Sequence, residues 1–280
     1  MKRLISTLLL GGLVSIPVLA QSDTPPPPPA AQDAQTQLQR GRQLLDQMVQ
    51  ALGGDAWLNR KDMQFHGRIA SFFHGQPNGM VIEFDAWHQF PDATHPEAVR
   101  IGFLTDKSMI LPGKKIDVVQ IWTGGKGYEV TYKGKTELPK DQVTDYYRRQ
   151  AHSIEDVVHN WLKAPGVMVI YDGTNMVERH IVDEVTVLSA NNDAVTIDLD
   201  AHTHLPVRRT FEWRNPIYKD HDKDVEEYAD YHTVQGLPTA YNITRYHNGD
   251  MVNQRFLTQV KYNTGLPPEL FNQNKLLKKK

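Results

Sequence analysis

Asp62-Met63-Gln64-Phe65-His66-Gly67-Arg68-Ile69-Ala70-Ser71-Phe72-Phe73, a turn at Gln76-Pro77-Asn78-Gly79, then Met80-Val81-Ile82-Glu83-Phe84-Asp85-Ala86-Trp87-His88-Gln89-Phe90: residues 62 to 90 decide the fold. Apolar side chains recur here with a period near two, which is the signature of a half-buried strand, and Pro-Asn-Gly between the runs reverses the chain. The same rhythm repeats downstream. Strands are expected at 62–73, 79–90, 97–105, 116–123 and 126–132, and further turns at Leu111-Pro112-Gly113 and Gly124-Gly125-Lys126-Gly127. Strands that follow one another through short turns form an antiparallel meander, since parallel pairs need long crossovers.

The rhythm breaks once, between Lys140 and Lys163. Asp141 opens one helical stretch there. Ser153 with Asp156 resembles a capping box ahead of a second, whose Ile154, Val157, Val158, Trp161 and Leu162 form an apolar stripe closed by Pro165-Gly166. Strands resume at 167–172, 177–189, 193–200, 206–214, 226–234, 239–247 and 252–262. Upstream of the first strand, Leu38, Leu44, Leu45, Met48, Val49 and Leu52 fall on one face of a helix over 35–52. Gly53-Gly54 stops it, and Asp55 could cap a short second helix. The expected class is α+β: a large antiparallel sheet covered by an N-terminal helix and an inserted helical pair. Eleven or twelve twisted strands cannot stay flat, so the sheet should curl into a half-barrel, leaving an apolar cavity between helices and concave face.

Ahead of the helix, Lys2 and Arg3 precede the apolar run Leu4 to Leu19, and small residues around Ala20 suit cleavage before Gln21, as in a signal peptide over 1–20. No cysteine follows the run, so lipid anchoring is not expected. Pro25 to Pro29 favour an extended linker over 21–34. One domain over 35–272 and a basic tail over 273–280, ending Lys278-Lys279-Lys280, complete the expected organisation. An exported, periplasmic protein is expected, with secretion as the alternative. Without Lys2 and Arg3, 29 basic side chains face 33 acidic ones, a balance that argues against nucleic acid. The absence of cysteine excludes disulfides, thiol catalysis and cysteine-bound metal.

Several motifs occur together and in order: Met48-Val49-Gln50-Ala51-Leu52-Gly53-Gly54, then Trp57 and Leu58, then Phe65-His66-Gly67-Arg68-Ile69. Asp198-Leu199-Asp200 leads through Thr203-His204-Leu205-Pro206-Val207-Arg208 to Tyr231-His232-Thr233-Val234-Gln235-Gly236-Leu237-Pro238, then to the hairpin Tyr246-His247-Asn248-Gly249-Asp250. Through Asn263 to Leu270-Phe271, this order resembles the periplasmic lipoprotein-carrier (LolA/LolB-like) superfamily of outer-membrane lipoprotein-sorting proteins. The resemblance spans most of 40–272. It implies a curved half-barrel capped by helices, with an apolar cavity that takes acyl chains, and no cofactor.

Other constellations carry less. Asp198, Asp200, His202 and His204 alternate, so a straight strand would place four metal-type donors on one side, and a metal-dependent enzyme follows as the third-ranked reading. A strand end running into the turn before Pro206 explains the same residues. Asp220, Asp222 and Asp224, followed by Glu226 and Glu227, imitate a calcium loop, but Val225 stands where glycine is required and Tyr231 where the closing glutamate belongs, so a solvated acidic loop is expected. Gly134-Lys135-Thr136 reads as a hairpin turn, because Glu129 stands where a phosphate loop needs glycine. No serine nucleophile elbow or His-Glu-x-x-His occurs.

The aromatic residues point to a ligand. Val118 alternates with Trp122, and Val207 with Phe211 and Trp213; with Phe84, Trp87 and Trp161 these eight residues are the expected lining of a hydrophobic cavity. The expected function is a non-enzymatic carrier or binding protein for a lipid or acyl chain, the helical pair moving to admit it. An envelope protein partner and transient membrane contact through the leader or the lysine tail are compatible with it. A ligand-free envelope scaffold with a filled interior is the alternative.

Overall fold

The computed structural model describes residues 29–106 and 113–278; the signal peptide, its cleavage site and most of the Leu111-Pro112-Gly113 turn lie outside the described residues. Helices α1 (Pro29–Leu52) and α2 (Asp55–Leu58) lead into strands β1 (Asp62–Phe73), β2 (Gln76–Gln89), β3 (Ala98–Asp106), β4 (Lys114–Thr123), β5 (Lys126–Val130) and β6 (Lys135–Glu137). Helices α3 (Lys140–Ala151) and α4 (Ile154–His159) and a 3-10 turn (Trp161–Lys163) follow. The chain then continues through β7 (Met168–Val177), β8 (His180–Leu188), β9 (Ala194–Asp200), β10 (Pro206–Arg214), β11 (His221–Val234), β12 (Leu237–His247) and β13 (Asp250–Tyr262). Among the described residues the thirteen strands form one open antiparallel sheet in the order β6-β5-β4-β3-β2-β1-β13-β12-β11-β10-β9-β8-β7. Two meanders therefore run outward from a central seam where β1 pairs with β13, Phe65 opposite Val260. The α3–α4 segment is the one connection between the sheet's two edges, a strap crossing from β6 to β7.

Local chemistry places these elements. Leu44, Leu45, Met48 and Leu52 are the buried stripe of α1. Gly53 and Gly54, both at positive φ, end the helix by donating to the carbonyls of Gln50 and Val49. Ser153 caps α4, its hydroxyl accepting from the Asp156 amide at 3.1 Å. Asp55 makes no side-chain cap on α2. Two-residue hairpin turns with both residues at positive φ reverse the chain at Gly124-Gly125, Gln235-Gly236 and Asn248-Gly249.

The structure corrects several expectations. The linker expected over 21–34 yields to helix from Pro29 onward; proline suits a first helical turn, and Ala30, Ala31 and Gln32 continue it without a breaker. The first hairpin reverses at His74-Gly75, not at Gln76-Pro77-Asn78-Gly79, and a register irregularity between Ala70 and Phe72 accommodates Pro77 within β2. A thirteenth strand, β6, is added by Lys135–Glu137, and Glu178-Arg179 make the tight turn from β7 to β8. The acidic stretch is not a solvated loop: β11 begins at His221, and Asp224 is fully buried. The segment after Phe271 is not wholly a free tail, for the Leu277 amide donates to the Thr131 carbonyl and its side chain packs on Val119, Ile121, Tyr128 and Val130.

The main core lies between the concave face and the helices. Leu44, Leu45 and Met48 of α1, Ile154, Val157 and Val158 of α4, and Phe84, Val185, Val187, Val195, Ile197 and Phe211 of the sheet belong to it. α1 lies on β7 so closely that a Cβ on Gly41 would stand 2.9 Å from the Val169 carbonyl oxygen. Leu277 and its neighbours form a smaller cluster on the convex face.

Candidate functional site

Alternation along the strands sets what faces the strap. On β4, Val119 and Ile121 pack under Leu277, so Val118, Gln120 and Trp122 point the other way, into the concavity. The Trp122 ring stacks on Tyr146 of α3, 4.0 Å between centroids and 13° between planes. Burial and the nearby Glu97 carboxylate push the Tyr146 hydroxyl above its usual range. At the other end of the strap, His152 stacks on Phe211 of β10 at 4.2 Å, and its Nε2 lies 2.9 Å from Asp193 in the β8–β9 turn. Trp161 contacts His152 edge-on. The strap is therefore clipped by aromatic pairs to strands on both sides of the sheet.

Between these clips lies an apolar floor that the helices leave only partly covered. Phe65 and Ile69 of β1, Ile101 and Phe103 of β3, and Tyr228 and Ile243 border the core without being buried by it. One residue interrupts the row. Arg255 of β13 stands directly opposite Ile69 on one side and Ile243 on the other.

Arg255 is the rim of an ionic network. It pairs with Glu226, which also lies 3.5 Å from Arg209. Arg209 Nη2 lies 3.4 Å from Asp224 Oδ1, and the Arg245 Nε donates to Asp224 Oδ2 at 2.8 Å. Arg245 reaches Asp145 of the strap at 3.5 Å, and Asp145 also serves Arg148 and Arg149. Three carboxylates thus join five guanidiniums in one chain of contacts from α3 across β12, β11 and β10 to β13. Register explains the assembly: Arg245 is opposite Glu226, and Glu226 opposite Arg209, along one row. Burial would raise the Glu226 carboxyl, but Arg255 and Arg209 outweigh it and, with the Tyr228 hydroxyl, hold it at about 2. Burial and the neighbouring Arg245 lower Arg149. Aromatic faces complete the lining, Arg148 standing 4.4 Å over Trp213 and Arg209 4.9 Å over Phe211.

Of the eight residues expected to line a cavity, Phe84, Val118, Trp122, Phe211 and Trp213 share the concave side, and Trp161 lies in the strap against the same core. The other two do not join them. Trp87 is three residues from Phe84, an odd offset that turns it to the convex face, opposite Arg100, whose guanidinium stands 5.8 Å over its ring. Val207 sits at a register shift between Pro206 and Arg208 that rotates it away from Phe211 into a separate cluster with Val177 and Val182. The interior space expected between α1 and the sheet is packed: Leu44, Leu45 and Met48 have no exposure. Two depressions, of about 560 Å³ near Asp222 and Asn248 and about 170 Å³ near His66 and Asp85, are polar and lie elsewhere.

Asp198, Asp200, His202 and His204 do not converge. β9 ends at Asp200, so the alternation stops there. Asp198 binds Arg208 Nε at 2.6 Å, while Asp200 accepts from the amides of His202 and Thr203 in the turn. Burial opposes ionisation of Asp200, yet these donors and His180 hold it down at about 2. Among the described residues no three histidine, aspartate or glutamate side chains gather as a metal site. Sequence reasoning missed the arginine network altogether; the usable signal was β-period spacing in Asp224-Val225-Glu226 and in Arg209-Thr210-Phe211.

Comparison with solved structures agrees with the architecture. The chain is similar to a DUF1329 family protein from Desulfovibrio piger (13% identity, TM-score 0.54, covering 84% of this chain and 97% of that one). It is also similar to a domain assigned to outer membrane lipoprotein sorting from Vibrio parahaemolyticus (10% identity, TM-score 0.52, covering 84% and 98%). A LolA superfamily protein from Nitrosomonas europaea aligns over 83% of this chain and 97% of its own at 9% identity, with a TM-score of 0.46. No family model matches the chain, and no curated protein matches it. The fold is the one implied by the resemblance in the sequence: a curved, open antiparallel sheet with helices on its concave face, shared with a lipoprotein-sorting-type domain.

Proposed function

We propose that this protein is a non-enzymatic periplasmic carrier or binding protein for a hydrophobic ligand, a lipid or an acyl chain. The observation that carries the reading is the partly covered apolar floor of Phe65, Ile69, Ile101 and Phe103 beside a strap that two stacked aromatic pairs clip to the sheet. Aromatic stacking contributes about 0.5–1.5 kcal/mol per pair beyond area burial. Helix α3 has no buried residue, whereas Ile154, Val157 and Val158 anchor α4 in the core, so α3 is the part of the strap that can lift without unfolding the sheet. Each methylene brought onto the floor contributes about 0.8 kcal/mol, so a long acyl chain supplies of order 10 kcal/mol before ordering costs. Contact with a membrane at hand-off is supported by Phe73, Ile217 and Tyr218, each more than 70% exposed. They lie on hairpins flanking the β12–β13 turn, which His74 approaches through Asp250 and Asp222 through Asn248.

The packed interface under α1 favours a second reading, a scaffold for an envelope protein with no ligand. Native mass spectrometry of the exported protein, purified without detergent and then extracted with organic solvent, separates the two. The carrier reading expects a stoichiometric lipid adduct lost on extraction. A bare mass that stays bare after incubation with envelope lipids refutes it and leaves the scaffold.

A further inference from the structure

We infer that the ligand is an anionic amphiphile, its carboxylate or phosphate head bound by the concave-face arginines around Arg209, Arg245 and Arg255 while its chain lies on the apolar floor. This inference rests on the hydrophobic-ligand reading and narrows it to a chemical class.

Charge count is the first argument. Arg148, Arg149, Arg209, Arg245 and Arg255 form ion pairs with Asp145, Asp224 and Glu226, and Asp222 near Arg148 is a further carboxylate that they lower, which leaves an excess of one positive charge around the buried Arg209. Other carboxylates of the strap and its surroundings are committed elsewhere: Glu155 to Arg60, Glu97 to His88 and Gln150, and Asp156 to Asn160. A purely structural network would be expected to balance, because an uncompensated buried charge is costly. An anion from outside the chain supplies the missing charge.

Donor geometry is the second argument. Arg209 is 98% buried, yet its Nε and Nη1 have no acceptor, and neither has the Nε of Arg255. Unused guanidinium N–H groups are donors for which carboxylate or phosphate oxygens are the strongest acceptors. Position is the third. Arg255 lies in the same cross-strand row as Ile69 and Ile243, so a head group at Arg255 places its chain on apolar residues at once. A free phosphate or a soluble dicarboxylate would use the arginines but leave that floor unused.

The test compares three single-chain probes of equal length: tetradecanoate, tetradecyl phosphate and tetradecan-1-ol, titrated into the mature protein and followed by tryptophan fluorescence, with native mass spectrometry for stoichiometry. The expected result is a Kd at least tenfold lower for one or both anions than for the alcohol. A preference between the two anions tells a fatty acid from a phospholipid. Arg255→Gln, at the solvent-reachable rim, should raise the Kd of the preferred anion about tenfold and leave the alcohol unchanged. Arg209→Met is the stronger perturbation, and Arg255→Gln keeps the test decisive if that variant does not fold. Equal affinity for all three probes, or an Arg255→Gln variant that keeps the anion preference, overturns the anionic head group while leaving the carrier reading intact. Failure of all three to bind overturns both.

Discussion

Replacing Asp224 with asparagine is the sharpest test of the buried network, because it removes one charge and almost no volume. Asp224 has no exposure, accepts from Arg245 Nε at 2.8 Å and lies 3.4 Å from Arg209. In Asp224→Asn the amide oxygen can serve one guanidinium, and the other is left in a buried region already rich in positive charge. Breaking one partner of a buried ion pair costs about 3–5 kcal/mol, and the doubly shared carboxylate places this variant within that range. Urea unfolding monitored by tryptophan fluorescence should show the unfolding free energy falling by that amount, read as a lower midpoint at unchanged slope. Asp220→Asn, in the exposed β10–β11 loop, should stay within about 0.5 kcal/mol of the parent. A loss below about 1 kcal/mol for Asp224→Asn would refute the network and restore a solvated acidic segment.

Three further outcomes are expected. The Glu226 carboxyl, held at about 2 against an ordinary 4.5, binds its proton less readily folded than unfolded, so its stabilisation of about 3 kcal/mol is complete above the unfolded value and lost as pH falls toward 2. The stability difference between the parent and Glu226→Gln should therefore shrink as pH falls from about 4.5 to 2; a constant difference contradicts the assignment. Gly41→Ala gains about 1 kcal/mol of helix propensity but drives its Cβ into the Val169 carbonyl and the Tyr171 amide, so thermal unfolding should report a net loss of about 1–3 kcal/mol. A raised Tm would mean that α1 does not sit on β7. Trp122→Leu removes the stacking partner of Tyr146 and should speed amide exchange across 140–151 more than in β8 and β9; equal acceleration everywhere would show that Trp122 does not clip the strap.

The strands and covering helices were legible because each carries its pattern locally. Alternation in 62–73 and the stripe Leu44, Leu45, Met48 need no distant information. β6 was not legible, since Lys135-Thr136-Glu137 is a polar, exposed edge strand whose place in the sheet comes from pairing with β5. The acidic segment misled for a similar reason. Asp220, Asp222, Asp224 and Glu226 resemble a solvated loop in composition, and what buries the last two arrives from 15, 21 and 29 residues away. Val207 depended on a bulge that no local pattern announces. Trp87 is different, because its odd offset from Phe84 already assigned it to the opposite face.

Connectivity separates what must stay fixed from what can move. The seam between β1 and β13 joins the two meanders in the middle of the sheet, and every other strand pair is a sequential neighbour. The strap contributes no strand, and its only route into the ladder is through the two edges that it joins. Lifting α3 alone breaks the Trp122–Tyr146 stack and the Asp145–Arg245 contact but no interstrand hydrogen bond, while Ile154, Val157 and Val158 keep α4 in the core. Asp145 is also the strap's own carboxylate in the arginine network. If the ligand is the anionic amphiphile proposed above, its head group competes with Asp145 for Arg245, so filling the site weakens one contact that holds α3 down. On that proposal, admission of the chain and release of α3 are one exchange of acceptors on Arg245, which ties the ligand and the motion to the same guanidinium.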